Sequence, residues 1–504
     1  LEQNQEIKEY NMKIVIVGGG TAGWLAALMV SKIKPEHTVT CIESSKIGII
    51  GAGEGSTGAL TNIIQNVMWD FGIDEQDFIK ECDATIKLGI KHIGWGPDIN
   101  KSYYGPIDGT PTGGQEADIM FQHALGCRDQ ELLHLSTDLG YKIHHNKNSF
   151  VEHEGNHAYH FDAHKVGKYF KKVCTDVKHI DSEVKDVIID SEQGWITSLN
   201  LTNGQTVSGD MFIDASGFNR VLMNAVGGKW KSYKEQLPVN SALPFILPYE
   251  EDEIIQPVTN AWAQNNGWCW NIPTLNRRGC GYVFSDEFVT ADQAHAELEE
   301  TIGKKVDPIR LIKFDSGRQE KLWIKNVLSI GLSAAFSEPL EATSIHTTIF
   351  QLSNFIFSAL GQGREDTCDE HAVAMYNDLN AHMYDGLRDF LVAHYTCGRK
   401  DTEFWKYINS GATSTDFVRS IHEVCKTRVP NYTLFPRIEG NAGWPLWSFV
   451  LAGTGKLTDI VAQQELKFNN NVQISDNAYS YNMQQYHMNS ENLPDNTQYI
   501  KGMK

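Results

Sequence analysis

Several things are scarce or missing in these 504 residues. No apolar run approaches the ~18 residues that a membrane helix requires, so no spanning helix is expected. The nine cysteines are odd in number, scattered, and never spaced as CxxC. That argues against a zinc site or a disulfide frame and points to reduced thiols in a cytoplasm. Basic residues are outnumbered 44 to 63, the net charge is −19, and no basic stripe is present. Binding to nucleic-acid phosphates is therefore not expected. Repeats and a secretory signal are also lacking. The first good strand begins at Lys13, so Met12 is the expected natural start, with residues 1–11 an extension or a disordered lead. The remaining composition is that of a globular chain, 41% hydrophobic. Its length allows a large core and more than one subdomain.

What is present starts with KIVIVGGGTAGWLAALMVSKI (Lys13–Ile33). It reads as a buried parallel strand, a glycine turn and a helix. Gly18, Gly20 and Gly23 fit GxGxxG, and Thr21 and Ala22 lie between the last two. The first glycine makes the tight turn, the second admits a pyrophosphate, and the third lets helix and strand pack. A second apolar strand, HTVTCIES, carries Glu43 twenty residues after Gly23, where an acid holds a ribose hydroxyl. No second such unit follows. DMFIDASGFNR (Asp210–Arg220) reads as a strand returning late to the same sheet. One dinucleotide site in a chain this long favours a flavin, with NAD(P)H oxidised elsewhere.

Two further stretches carry polar residues worth weighing. In ECDATIKLGIKHIGW (Glu81–Trp95) a helix gives way to a strand at about Thr85. Alternation puts Ile86, Leu88 and Ile90 on one side and Lys87, Gly89 and Lys91 on the other. A half-exposed strand with solvated lysines explains this blandly. FSEPLEATSIHTTIFQLSNFIFSALGQG (Phe336–Gly363) reads as a loop and then a helix burying Ile345, Ile349, Leu352, Ile356 and Leu360. Glu338 and Glu341 sit before or at its start, as ordinary helix-end charges or as carboxylates beside an anion pocket near Thr343 and Ser344.

NGWCWNIPTL (Asn266–Leu275) places Trp268, Trp270 and Ile272 on one strand face and ends pairing at Pro273. WCWNIP is the WxWxIP motif of flavin-dependent halogenases, and the chain resembles the tryptophan-halogenase family. The agreement extends through GGGTAGW, the block around Lys87, AYHFDAH (Ala158–His164), FIDASGF, GYVFS, EPLEATSI and AHYTCGRKDTEFW (Ala393–Trp405), in order from residue 13 to about 405.

The resemblance implies an α/β fold. An FAD-binding Rossmann-like module of the PHBH-like monooxygenase type would span 12–365. A substrate-side sheet is inserted at about 95–150 and 225–312, and a mostly helical region with a loose Asn/Gln-rich tail fills 366–504. It implies FAD as FADH2, held by Gly18, Gly20, Thr21, Ala22, Gly23, Glu43 and Ile345, and supplied by a partner flavin reductase. Oxygen and reduced flavin give a C4a-hydroperoxide, and halide attacks it to yield hypohalous acid. The acid travels through a tunnel to the lysine that matches Lys87, as a hydrogen-bonded acid or a haloamine. The catalytic glutamate matches Glu341. Halide contacts match Thr343 and Ser344, and Trp268, Trp270, Ile272 and Pro273 match a barrier between flavin and a small aromatic substrate.

The chain departs from the family at informative places. EPLEST becomes EPLEAT, with Ala342 after the glutamate and Ser344 where glycine is usual. Bromide or iodide is therefore open as well as chloride. YYGPI (Tyr103–Ile107) stands where the family has Tyr-His-Pro-Phe, so Gly105 and Ile107 imply a more open substrate pocket, walled by Tyr104 and Pro106 and, from the C-terminal region, Phe404 and Trp405. No metal is implied. A homodimer or larger homo-oligomer is left open. The competing readings are an aromatic hydroxylase on the same fold and a non-catalytic flavin-binding protein.

Overall fold

A computed structural model describes residues 11–48, 54–107, 157–361, 367–431, 434–435 and 443–473, and short stretches beyond them that end with 496–502. The apolar KIVIV stretch forms the strand Lys13–Val17. It pairs in parallel with Thr38–Glu43 on one side and Met211–Asp214 on the other. The late strand therefore returns to the nucleotide sheet, as FIDASGF suggested. That sheet has six strands in the order 323–324, 327–329, 211–214, 13–17, 38–43 and 178–181. The helix Thr21–Ile33 begins directly after the glycine turn, and its apolar positions are buried almost all round. This is expected of a helix that packs between a sheet and further helices.

Two side-chain features fix the nucleotide end. Gly18 has φ +121°, and a Cβ there would meet the Ala215 carbonyl oxygen at 2.1 Å. Only glycine satisfies both conditions. Asp214, fully buried at its strand end, accepts from Ser216 N and Oγ and from Ser333 Oγ through Oδ1, and from the Leu222 and Met223 amides through Oδ2. One carboxylate thus ties the 214–223 turn to the strand bundle.

The second sheet has seven strands, ordered 312–313, 241–247, 278–284, 267–273, 258–263, 89–93 and 102–106. The WxWxIP strand, Gly267–Pro273, lies centrally between Arg278–Phe284 and Val258–Ala263. Trp270 stands opposite Gly281, where a Cβ would lie 2.0 Å from the indole ring. The glycine is thus the space the tryptophan occupies. Trp268, Trp270 and Ile272 share one apolar core with Trp95, Phe390, Tyr395, Trp405 and Trp447. Helices Glu370–Tyr395, Glu403–Tyr407, Asp416–Cys425 and Trp444–Gly453 therefore pack onto that sheet face. In the stretch read as a loose tail, Asn496–Gly502 is helical. Its buried Asn496 donates to the Ile86 carbonyl beside the Lys87 strand.

Eight cysteines are described, and all are buried. Among the described residues no helix is long and apolar enough to cross a membrane. Residues 1–10 of the expected lead 1–11, and the part of the expected inserted sheet from 108 to 150, fall outside the described residues.

Candidate active site

Lys87 ends a three-residue strand, Thr85–Lys87, in a small sheet ordered 54–55, 158–161, 85–87. The AYHF stretch of AYHFDAH is its middle strand, pairing Ala158 with Lys87 and Phe161 with Glu54. Leu88 breaks the strand, and Gly89–Ile93 continues in the seven-stranded sheet. Lys87 is thus placed where two sheets meet. It is 1% exposed, which removes the solvated-lysine reading. Its Nζ donates to the Ser56 carbonyl at 3.0 Å.

Burial pushes the Lys87 ammonium down to about 8, with Glu341 opposing. This has a sign that can be checked. Below pH 8 both folded and unfolded chains carry the proton, and the full burial cost is present. Between about 8 and the ordinary 10.5 only the unfolded chain keeps it, so stability rises with pH. Lys87→Met is therefore expected to stabilise the protein by roughly 3 kcal/mol near pH 7, from ~1.4 kcal/mol per pH unit. Denaturant titrations should show that gap closing from pH 8 to 10.5.

Glu341 closes the site from the other side. Pro339–Glu341 is a single 3₁₀ turn, and Ala342 after it adopts the left-handed φ of +53°. A Cβ on Gly55 would lie 3.1 Å from Lys87 Nζ and 3.5 Å from Ala342 Cβ. The lysine amine and the EPLEAT turn therefore face each other across Gly55. Glu341 Oε1 accepts from His92 Nε2 at 3.1 Å. His394 Nε2 lies 2.8 Å from the same oxygen, off the line of an ideal hydrogen bond. Burial would raise this carboxyl, but His394 and His92 outweigh it and hold it well below the usual carboxylate range. Glu341 is thus an anion that acts electrostatically on the Lys87 amine. Burial and its two neighbours His394 and Lys87 lower the His92 imidazole, while Glu341 opposes.

Glu338, the first acid of EPLE, has a different part. It is buried, and its Oε2 accepts the Trp268 indole N–H at 2.9 Å. Burial raises its carboxyl to about 8, with the Trp268 contact opposing. Thr85 Oγ1 also donates to the Pro273 carbonyl at 2.6 Å. The WxWxIP strand is thereby joined to both the EPLE turn and the Lys87 strand. Glu338→Leu should strand the indole N–H and cost about 1–3 kcal/mol. Glu338→Gln, which keeps an acceptor, should cost clearly less by denaturant titration.

A groove of about 790 Å³ starts at Gly18, Gly20, Thr21, Ala22 and Glu43 and reaches Ser344, Ile345 and Thr348. That size suits a small-molecule site. Gly20 has open space where a Cβ would project, and Gly18 allows the close turn. Gly23 lies behind, its Cα packed on the Gly18 carbonyl. Glu43 borders the groove with both oxygens engaged: Oε1 with Lys171 at 2.6 Å and His179 at 3.0 Å, Oε2 with the Trp24 indole. The backbone cradle and the distal acid fit an FAD.

The sequence-based site residues thus divide. Lys87 and the EPLEAT turn that carries Glu341 face each other, while Gly18, Gly20, Thr21, Ala22, Glu43, Ser344 and Ile345 line one groove. Trp268, Trp270, Ile272 and Pro273 do not border that groove. Phe404 and Trp405 are fully buried, with the Trp405 indole bound to the Gln264 carbonyl at 2.7 Å. They are core, not an open platform, because the helices pack over them. Tyr104 and Pro106 lie on Ser102–Pro106, paired with the strand that follows Lys87, and Ile107 N donates to the Leu88 carbonyl. A Cβ at Gly105 would meet only His92 Cε1, at 3.8 Å, an ordinary contact distance. His92 and His394 were inside quoted blocks, yet only a histidine within an otherwise apolar strand or helix face signalled them.

Fold and groove define a flavin-dependent oxidoreductase of the monooxygenase type, and comparison with known proteins narrows the class. The family described as tryptophan halogenase matches residues 13–466. The chain is 32% identical over 435 residues to the tryptophan 7-halogenase RebH of Lentzea aerocolonigenes, covering 78% of each. It is 30% identical over 478 residues to the 7-chloro-L-tryptophan 6-halogenase KtzR of Kutzneria sp. (strain 744), covering 87% of this chain and 90% of the relative. A solved tryptophan halogenase from Shewanella frigidimarina NCIMB 400 superposes with a TM-score of 0.87 at 27% identity, over 98% of both chains. The chain belongs to the tryptophan halogenase family. It is a flavin-dependent halogenase that acts on an aromatic substrate and needs a separate flavin reductase.

Proposed function

We propose that Lys87 and Glu341 are the residues that deliver and complete halogenation. The observation that carries this is that the buried Lys87 amine and the EPLEAT turn meet across Gly55, with the partly exposed Glu341 carboxylate acting electrostatically on the amine. When bound, FADH2 with oxygen supplies the oxidising equivalents that turn halide into hypohalous acid. The Lys87 amine holds the acid by a hydrogen bond, or carries its halogen as a haloamine, and sets the halogen against a ring carbon. From the hydrogen-bonded acid, the ring carbon takes the halogen as the O–halogen bond breaks, and the hydroxide takes a proton from the Lys87 ammonium and leaves as water. From the haloamine, the N–halogen bond breaks and the amine is the leaving group. Glu341 balances the positive ring and takes its proton.

The start of the helix Ser344–Asn354 suits the halide. No side chain caps its N-terminus, and Ser344 and Ile345 line the groove. Free amides at Thr343 and Ser344, with the helix dipole, attract an anion. A serine in place of the usual glycine there makes bromide or iodide usable along with chloride. Tyr104 is read as part of the substrate pocket. The substrate is an indole- or phenol-like ring, and the relatives' printed activities favour tryptophan. Trp268, Trp270, Ile272 and Pro273 keep flavin and ring apart by holding the Glu338–Glu341 turn, not by lining the groove. Oligomer formation and a cytoplasmic setting belong to the same reading.

A halide and substrate panel, run with a generic flavin reductase and read by mass spectrometry, tests it. A product bearing the supplied halogen is expected. Inactivity across the whole panel would favour the non-catalytic reading.

A further inference from the structure

His92, Glu341 and His394 bring two imidazole nitrogens and one carboxylate oxygen within 4.8 Å of one another. Among the described residues no other group of three histidine, cysteine or acidic side chains does so. Both histidines are fully buried, and Glu341 is 13% exposed on its side chain, so the cluster opens only at the carboxylate. His394 Nδ1 lies 2.8 Å from the Phe390 carbonyl oxygen. A carbonyl only accepts, so Nδ1 carries the hydrogen. In a neutral ring Nε2 is then a bare lone pair, 2.8 Å from a carboxylate oxygen that also carries lone pairs. Two such atoms at that distance favour a cation between them.

The same arrangement presents His394 Nε2 as a metal ligand, because a carbonyl behind Nδ1 orients a ligating imidazole in this way. His92 Nε2 points at the same oxygen, and its Nδ1 is buried without a partner. To ligate, His92 must give up the hydrogen that Nε2 donates to Glu341, its Nδ1 taking one instead. We propose that His92, Glu341 and His394 form a binding site for one divalent transition-metal ion of the Zn²⁺ type. Two nitrogens, one oxygen and an opening at the carboxylate leave a fourth position for water, which suits zinc and cobalt. The buried Lys87 amine, which acts electrostatically on His92 and Glu341, opposes the ion when protonated. Displacement of protons makes binding tighten as pH rises. A bound ion would occupy the Glu341 oxygen, so the site would work as an off-switch. Metal binding here does not depend on the halogenation reading.

The full-length protein would be titrated with Co²⁺ and Zn²⁺ alone, following cobalt absorption and metal retained after dialysis. One equivalent is expected, without the thiolate charge-transfer band that cysteine ligation gives. His92→Phe and His394→Gln should each weaken binding about 100-fold or more, with circular dichroism unchanged. Failure of the wild-type protein to retain an equivalent would overturn the proposal. So would a cobalt–thiolate band, or equal retention by a folded His92→Phe variant. The wild-type spectrum decides even where a variant fails to fold.

Discussion

The Lys87→Ala protein is expected to make no halogenated product while still oxidising reduced flavin, releasing peroxide or hypohalous acid to solvent. The expectation follows from where the amine is. Lys87 sits at the junction of two sheets, its Nζ fixed by the Ser56 carbonyl, and it is almost wholly shielded from water. The groove lined by Gly18, Gly20 and Glu43 lies elsewhere, so flavin binding should survive the change. What is lost is the group that holds the oxidised halogen in line with the ring. Positioning of this kind is worth ~10⁵-fold or more, so product should fall by at least about 10³-fold. Mass spectrometry of product with a peroxide assay in the same reaction measures both halves. Normal halogenation by Lys87→Ala would remove this residue from the mechanism. Lys87→Met, which fills more of the volume, should behave in the same way.

Glu341→Gln is expected to slow halogenation by about 10²–10³-fold, with flavin oxidation little changed. Glutamine keeps the shape and an oxygen for the His92 hydrogen bond at 3.1 Å. It removes the negative charge that offsets the cationic ring and the basicity that takes its proton. The two effects act on the same step, so the loss should appear in turnover more than in substrate affinity. Near-normal turnover would exclude the carboxylate from the chemistry. Because His92 and His394 hold Glu341 ionised against burial, wild-type activity should show no acid limb from this group in the ordinary carboxylate range. A rate that falls as pH drops through 5 to 4, absent from Glu341→Gln, would contradict that assignment.

Much of this was legible in order along the chain, for definite reasons. The glycine turn and Glu43 are local: strand, turn and helix are adjacent in sequence, and spacing alone predicts one groove. The pairing of Met211–Asp214 with Lys13–Val17 is non-local, and only the FIDASGF block pointed to it. Lys87 and Glu341 lie 254 positions apart, and no periodicity relates them; the resemblance singled them out, and the fold brings them together. The tryptophans of WCWNIP are the instructive case. Alternation correctly placed Trp268 and Trp270 on one face. It could not say that the face meets the C-terminal helices, or that the partner of the Trp268 N–H is Glu338, seventy residues on. Two closely spaced tryptophans serve the site by holding the turn that carries Glu341. The substrate side was least legible, since Phe404 and Trp405 look like a platform in sequence and prove to be packed core. The contribution of His92 next to Gly105 needed three dimensions, because it comes from the neighbouring strand.

The most direct test of the central claim is to run the wild-type protein with a flavin reductase, bromide, an indole substrate and ¹⁸O₂, and to weigh the product. The account predicts a brominated ring that contains no ¹⁸O and disappears when halide is omitted. A hydroxylated ring carrying ¹⁸O, formed equally well without halide, would contradict it.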